Sequence, residues 1–504
     1  MHTTHYQAVL RLDPVPGRTP VLHAPTIIGD VDVAFLSPLV APGLDVAVSV
    51  REGITDLITR SGVSVRTLQP SGEELSAAIR SAGIGVGARF VVGALLVAAA
   101  LSVSAHYARR RLPVRHHVVV VGSAVAATCL LTGASTALTY SPSRFAAYST
   151  TGVLGTVQRN AGMLAGLEAR AAQATPYLRN LLAVSQALQE KFVPGELSQP
   201  VAARFLLVSD VHGANQYSLM RTIIAEEQVD AVIDAGDLLN FGRVTEGEAA
   251  GVFRGIASLG VPYIFVRGNH DAAAPDDRAV LTRMARIPNV VLLQDAEGRF
   301  TELGFHGLRI TGVGDPRYFG DDNQDPRGKE RPAVEAFNRA MAGEPEPDLV
   351  VTHEPYAAEQ VDRGRILVHG HMHSAAVEGH RIQVGTFTGG GVVSHFVERD
   401  GAELTGQPYA FDVATFGSRC TLTQLTRYTY RNLLEGRPAY DTVQVVNGAT
   451  IDPLPAAPAP AAGGGAADAA PAGEQRTCSR LEPTSRRVVT APPANGPTPP
   501  STGP

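Results

Sequence analysis

Tryptophan is absent from the 504 residues, and aromatic residues make up only 6% of them. Large ring anchors therefore cannot dominate the core, and the apolar bulk falls to Ala, Val and Leu. Lysine is nearly missing too: Lys191 and Lys329 are the only two, so arginine supplies almost all positive charge. Charged residues total 18% and the net charge is −5, which excludes a globally basic binder of polyanions. Three cysteines are too few for a disulfide scaffold. Cys129 lies in an apolar run and reads as a small core residue. Cys420 and Cys478 both lie near the C-terminal part and are either a pair or two free thiols. No basic segment with a following apolar stretch comes after Met1, so no ordinary signal peptide is expected.

What is present divides the chain, which is too long for one ordinary core. Residues 1–86 hold short β-like runs, such as Asp32–Leu36 and Leu44–Val50, broken by Pro and Gly, and predict a small β-rich domain. Within residues 87–140, the stretches 90–108 and 118–139 contain no Asp, Glu, Lys or Arg. Each is long enough to cross a hydrocarbon core of about 30 Å. Two such Ala/Gly/Ser-rich runs predict a two-helix transmembrane hairpin rather than a pair of buried helices. Arg109, Arg110, Arg111 and Arg115 lie between them. Basic loops stay in the cytoplasm, so both flanks are expected outside, in a multi-pass protein of the cell membrane whose domain after the hairpin, residues 201–450, is extracytoplasmic. The lipid bilayer is then a partner. Residues 141–200 read as a helical stalk or linker, with leucines at helical spacing over 150–192 and Pro176 as a break. Residues 201–450 form the next and largest domain. Residues 451–504, rich in Pro, Ala and Gly, have little to bury and predict a disordered tail.

From Phe205 onward short apolar runs alternate with helix-like stretches, the order of an α/β layered domain. Five polar clusters each follow an apolar strand candidate: Asp210-Val211-His212, Gly236-Asp237, Gly268-Asn269-His270-Asp271, His353, and Gly370-His371-Met372-His373. Active sites of open α/β sheets lie at the carboxyl ends of strands. Asp, Asn and His offer oxygen and imidazole nitrogen without thiolate, which suits Mn, Fe or Zn in a hydrolytic site. Two such ions about 3.5–4 Å apart can grip the attacking and leaving oxygens of a phosphoryl displacement and supply hydroxide near neutral pH. Taken alone, Asp210 is an ordinary turn or cap residue, and His306, His380 and His395 read as surface or hydrogen-bonded residues.

In this order the five clusters resemble the calcineurin-like metallophosphoesterase superfamily, over roughly residues 204–395. The hairpin before the domain resembles its membrane-anchored bacterial members. The resemblance implies an αββα sandwich and two divalent metal ions. Asp210, His212 and His373 would hold one ion, and Asn269, His353 and His371 the other, with Asp237 bridging. His270 would protonate the leaving oxygen or steady the transition state, and Asp271 would orient His270. His369 exceeds the pattern and reads as packing. Gly389-Gly390-Gly391 reads as a tight connection. The implied activity is hydrolysis of a phosphoester substrate by a metal-activated hydroxide. Residues 201–400 carry 29 Asp and Glu against 19 Arg and Lys, a balance of −10. That demotes nucleic acid as substrate and favours a small or lipid-linked phosphomonoester or phosphodiester. The alternative is a catalytically silent membrane scaffold, disfavoured because the whole ligand set is kept.

Overall fold

The structure is a computed structural model. It describes residues 6–12, 17, 19–25, 29–50, 72–108, 114–152, 200–322, 324–391, 407–434, 437–452 and 476–492. Most of the helix expected over 150–192, Arg109 to Arg111, His395 and the tail segments 453–475 and 493–504 lie outside these residues. The chain divides into two compact units, residues 1–197 with 440–445, and residues 198–439 with 446–504.

The first unit is β-rich, with strands β1 (Tyr6–Leu12), β2 (Val21–Ala24), β3 (Val31–Phe35) and β4 (Leu44–Val50). Two long helices follow, α1 (Gly72–Ala108) and α2 (Val114–Thr139). Strand β5 (Phe145–Thr151) then closes a sheet in the order β1-β4-β2-β3-β5. Alternation explains β3: Val31, Val33 and Phe35 are buried, while Asp32 and Ala34 face the other way. Strand β5 falls where a helical stalk is expected. Its run of Phe145, Tyr148 and Thr150 has more to gain as a strand, pairing Val31 with Thr150 and burying both aromatic rings. Tyr140 at the end of α2 donates to the Pro42 carbonyl oxygen at 2.6 Å, and Ser135 to that of Val40 at 3.1 Å. Segments Arg80–Ser104 and Val119–Thr139 are long and apolar enough to cross a membrane, by length and composition.

The second unit has mixed α/β architecture. Strands β6 (Val201–Val208), β7 (Ala231–Asp234), β8 (Tyr263–Phe265) and β9 (Val290–Leu292) run parallel. They are joined through α3 (Tyr217–Glu227), α4 (Val244–Ala250), α5 (Val252–Ala257) and α6 (Ala279–Met284). The helical stretch between β7 and β8 is split into α4 and α5 at Gly251, which sits at φ +72. A second sheet contains β10 (Gln294–Ala296), β11 (Arg299–Phe305), β12 (Leu308–Gly312), β13 (Leu349–Val351), β14 (Ile366–His369), β15 (Ala376–Glu378) and β16 (Arg381–Gln383). Helices α7 (Pro326–Met341) and α8 (Pro355–Gln360) pack against this sheet, with Phe337 buried against Phe300, Val350 and Leu367. Antiparallel strands β17 (Tyr409–Gly417) and β18 (Leu422–Leu434) extend the first sheet beside β6. Strands β7, β8, β13 and β14 are buried along their whole length, as their unbroken apolar runs require of parallel strands covered on both faces.

The last described segment departs from the expected tail. Residues Ser485–Thr490 form a strand antiparallel to β11, with Arg299 opposite Thr490 and Gly304 opposite Ser485. Val489 is buried in the core under α7. A disulfide between Cys420 and Cys478 ties this segment to the turn between β17 and β18. Arg476 adds an ion pair to Asp348 at 2.5 Å. The Pro/Ala/Gly composition of 453–475 hides this short Val-bearing strand. A crosslink over 58 residues of chain restricts the unfolded state, so Cys478→Ser should cost about 2–5 kcal/mol in denaturant unfolding. Dithiothreitol should cause the same loss in the unmutated protein and none in the variant. Equal stability of oxidised and reduced protein would sink this expectation.

Candidate metal centre

All five clusters lie immediately beyond the carboxyl ends of β6, β7, β8, β13 and β14. The strands are fixed by burial, so the turns that leave them must bend within one or two residues. Asp210, His212, Asp237, His371 and His373 accordingly adopt positive φ, between 47° and 68°. Asp and His tolerate this conformation better than most residues, and such strain concentrates at functional sites. Gly236 at φ +104 completes the second turn, where a Cβ would lie 2.6 Å from the Gly268 nitrogen and 2.9 Å from His353 Nδ1.

The turns bring two groups of ligand-type atoms together. Asp210, His212 and His373 form one, and Asp237, His353 and His371 the other, each with its atoms within 4.8 Å of one another. In the first, His212 Nε2 and His373 Nε2 face each other at 3.0 Å. Asp210 Oδ1 lies 3.3 Å from His373 Nε2 and is buried without a hydrogen bond. His373 Nδ1 donates to Gln407 Oε1 at 2.8 Å, which turns its Nε2 inward. In the second group, His353 Nε2 meets Asp237 Oδ2 at 3.2 Å, His371 Nδ1 at 3.2 Å and Asn269 Oδ1 at 3.1 Å. His353 Nδ1 donates to the Ala235 carbonyl oxygen at 2.8 Å, leaving Nε2 for the centre. Asp237 Oδ2 also lies 3.9 Å from His212 Nε2, so this carboxylate faces both groups.

Charge tells the same story. Burial alone would push the Asp210 and Asp237 carboxyls up and His353 down. Instead, neighbouring imidazoles hold both carboxyls below their usual range, and Asp237 and Asp210 lift His353 well above its own. The pocket therefore demands positive charge. Burial lowers His212 and His371, which keeps a lone pair on each ring. An orphaned carboxylate oxygen, inward-facing imidazole nitrogens and the absence of thiolate together fit divalent cations of the Mn, Fe or Zn type.

Several supporting residues carry no motif. Glu354 Oε2 lies 3.3 Å from His371 Nε2 and also accepts from the buried Arg317, which pairs with Asp315 at 2.6 Å. This carboxylate orients a ligand-type imidazole. Its only sequence signal is its place directly after His353. Gln407 lies 34 residues from His373 and gives none. Thr386 and Thr388 donate to the Asp210 and Val211 carbonyl oxygens, each at 2.8 Å. Burial pushes Asp234 up to about 7, where it accepts from Gly236 N at 3.0 Å and from Tyr263. Gly391, the last of the glycine triplet, sits at φ +70, where a Cβ would come 2.6 Å from His212 Cβ. His369 is buried, and burial lowers it to about 4, in keeping with a packing role.

His270 is half-buried at the rim. Its Nδ1 donates to the Asn240 carbonyl oxygen at 2.6 Å, and its backbone N–H to Asp237 Oδ1 at 2.8 Å. Asp271 does not hold the His270 ring, as the resemblance had implied. Its carboxylate instead accepts the backbone N–H groups of Asp237 and Gly268, each at 2.9 Å, and of Leu239 at 3.1 Å. Three converging amides outcompete one imidazole that already has a carbonyl partner. Asp271→Asn puts an NH₂ group against those amides and should cost about 2–3 kcal/mol of stability. Thermal unfolding checks this. Unchanged stability with lost turnover would restore the role on His270.

Residues 203–375 match the family model described as calcineurin-like phosphoesterase. No curated protein matches the chain. Among solved structures, a dimetal phosphatase from Danio rerio is 13% identical, with 49% of this chain and 99% of that chain covered and a TM-score of 0.32. A purple acid phosphatase from yellow lupin (Lupinus luteus) seeds is 14% identical, with 49% and 54% covered and a TM-score of 0.29. By its family match and the ordered set of Asp, Asn and His clusters that the match spans, the segment 203–375 of this chain is similar to the calcineurin-like phosphoesterases.

Proposed function

We propose that this chain is a metal-dependent hydrolase of phosphoester bonds with a two-metal site. The observation that carries the reading is Asp237, whose Oδ2 lies 3.2 Å from His353 Nε2 in one ligand group and 3.9 Å from His212 Nε2 in the other. Asp210, His212 and His373 would hold one ion, and Asn269, His353 and His371 the second, with Asp237 shared. When bound, the ions would supply Lewis-acid charge at phosphate oxygens and acidify water. The chain's own part is to fix these side chains through the Ala235, Glu354 and Gln407 contacts and to place His270 at the rim. Held through Nδ1, His270 keeps Nε2 for a proton that goes to the leaving oxygen. An αββα-sandwich reading of 201–450 is supported by two mixed sheets, helices α7 and α8 on one of them, and the Phe205–Phe305 ring contact at 5.5 Å between β6 and β11. The acidic balance of the unit supports a small or lipid-linked substrate over nucleic acid.

Asp237→Asn should reduce the content of both metals and abolish hydrolysis, because a full carboxylate offsets two dications. His270→Ala should keep the metals and slow turnover by about 100- to 10,000-fold. Metal analysis of the purified variants decides: two metals in an active Asp237→Asn protein would refute the shared position.

We also propose that α1 and α2 cross the cell membrane as a hairpin, with the catalytic unit outside. Leu95, Leu96, Val119, Val120, Leu130 and Leu131 are all more than half exposed, which suits lipid and not water. The Arg109–Arg111 loop favours the cytoplasmic side, and a Cys420–Cys478 bond favours an oxidising compartment. Fusion reporters at residues 113 and 450 test this. A phosphatase reporter active at 113 and silent at 450 would invert the topology.

A further inference from the structure

We propose that the wall beside His270 is a subsite for a flat aromatic ring in the leaving group of the substrate, a reading that rests on the phosphoesterase activity above. Four rings stand in sequence from the metal centre outward. His212 and His270 are 5.0 Å apart at 85°, His270 and Phe319 are 5.5 Å apart at 52°, and Phe319 and Phe241 are 5.2 Å apart at 81°. The two phenylalanines are 40% and 43% exposed, the only exposed phenylalanines among the described residues. Met372, between His371 and His373, is 52% exposed as well. Every other described phenylalanine finds cover, so leaving two in water at one rim needs a reason.

The backbone of both residues is held in place. The Phe319 N–H donates to the Ala272 carbonyl oxygen at 2.8 Å, and the Phe241 N–H to Glu246 Oε2 at 2.9 Å. Arg267 donates to the Asp315 and Arg317 carbonyl oxygens at 2.9 and 2.8 Å and fixes the loop that carries Phe319. Between His270 and this loop lies a cavity of about 190 Å³, lined among others by Asn269, Tyr318, Phe319 and Asp321. A leaving oxygen that takes its proton from His270 carries its substituent toward this cavity. Ring faces and edges already inclined at 52° to 85° to one another suit an inserted ring better than a puckered aliphatic group. Preorganised exposed rings lose little freedom when a ligand arrives.

The test uses the full chain in detergent with Mn, and two phosphomonoesters whose leaving alcohols are alike in acidity, benzyl and cyclohexylmethyl phosphate, with methyl phosphate as reference. The benzyl ester should have the higher kcat/KM, by about two- to tenfold. Phe319→Ala and Phe319→Leu should both remove that preference while changing methyl phosphate hydrolysis less than about twofold, with thermal unfolding to show that the variants fold. A preference that survives in Phe319→Leu, or equal rates for the two esters in the unmutated protein, would overturn the ring subsite. Calorimetric titration with benzylphosphonate and cyclohexylmethylphosphonate reads the subsite independently of turnover. Tighter benzyl binding, lost in Phe319→Leu, with no hydrolysis of any ester would sink the phosphoesterase reading and sustain the subsite. Equal binding of the two phosphonates would overturn the subsite, whatever the rates.

Discussion

Two carboxylates and four imidazoles converge within a few ångströms in a place that water barely reaches. Burial strips both kinds of group of their hydration, and the attraction between the carboxylates and the neighbouring imidazoles offsets that cost. The second unit is organised around holding these groups together where a cation could bind. Its parallel strands are rigid because they are buried on both faces. Its turns are short because they leave those strands directly for the centre.

The backbone takes much of the load. Five of the converging residues sit at positive φ, and neighbouring glycines leave no room for a Cβ. The Asp271 carboxyl group collects amides from two separate turns, so the β7 and β8 connections are tied to a single side chain. Glu354 performs a similar service for the His371 ring, and it is itself neutralised by Arg317. The centre is thus a set of ligand-type groups inside a second set of charges that fixes their directions.

Strand-then-polar-cluster spacing made the ligand-type residues legible in the sequence, because each motif is local: an apolar run, a glycine in three of the five, then Asp, Asn or His. The supporting contacts were not legible. Gln407 reaches His373 from 34 residues away, and the Ala235 and Asn240 contacts use carbonyl oxygens, which every residue carries. The amide contacts of Asp271 were not legible for the same reason, since backbone amides leave no trace in residue identity. Strand β5 was masked by the helical leucine spacing that follows it, and Ser485–Thr490 by the Pro- and Ala-rich stretch that precedes it. In both, pairing with a distant strand decides the conformation, and single-sequence patterns do not report a partner.

The strand at Ser485–Thr490 bears on how the protein is made. His373 emerges from the ribosome more than a hundred residues before Thr490, so the ligand-type residues are all present while β11 still lacks this neighbour. During that interval the β11 edge offers unpaired backbone groups to any passing strand. The segment that covers it is then locked by a bond between Cys420 and Cys478, which requires an oxidant. Maturation of the second unit therefore has a natural order: strand scaffold and polar turns first, edge closure second, oxidation last.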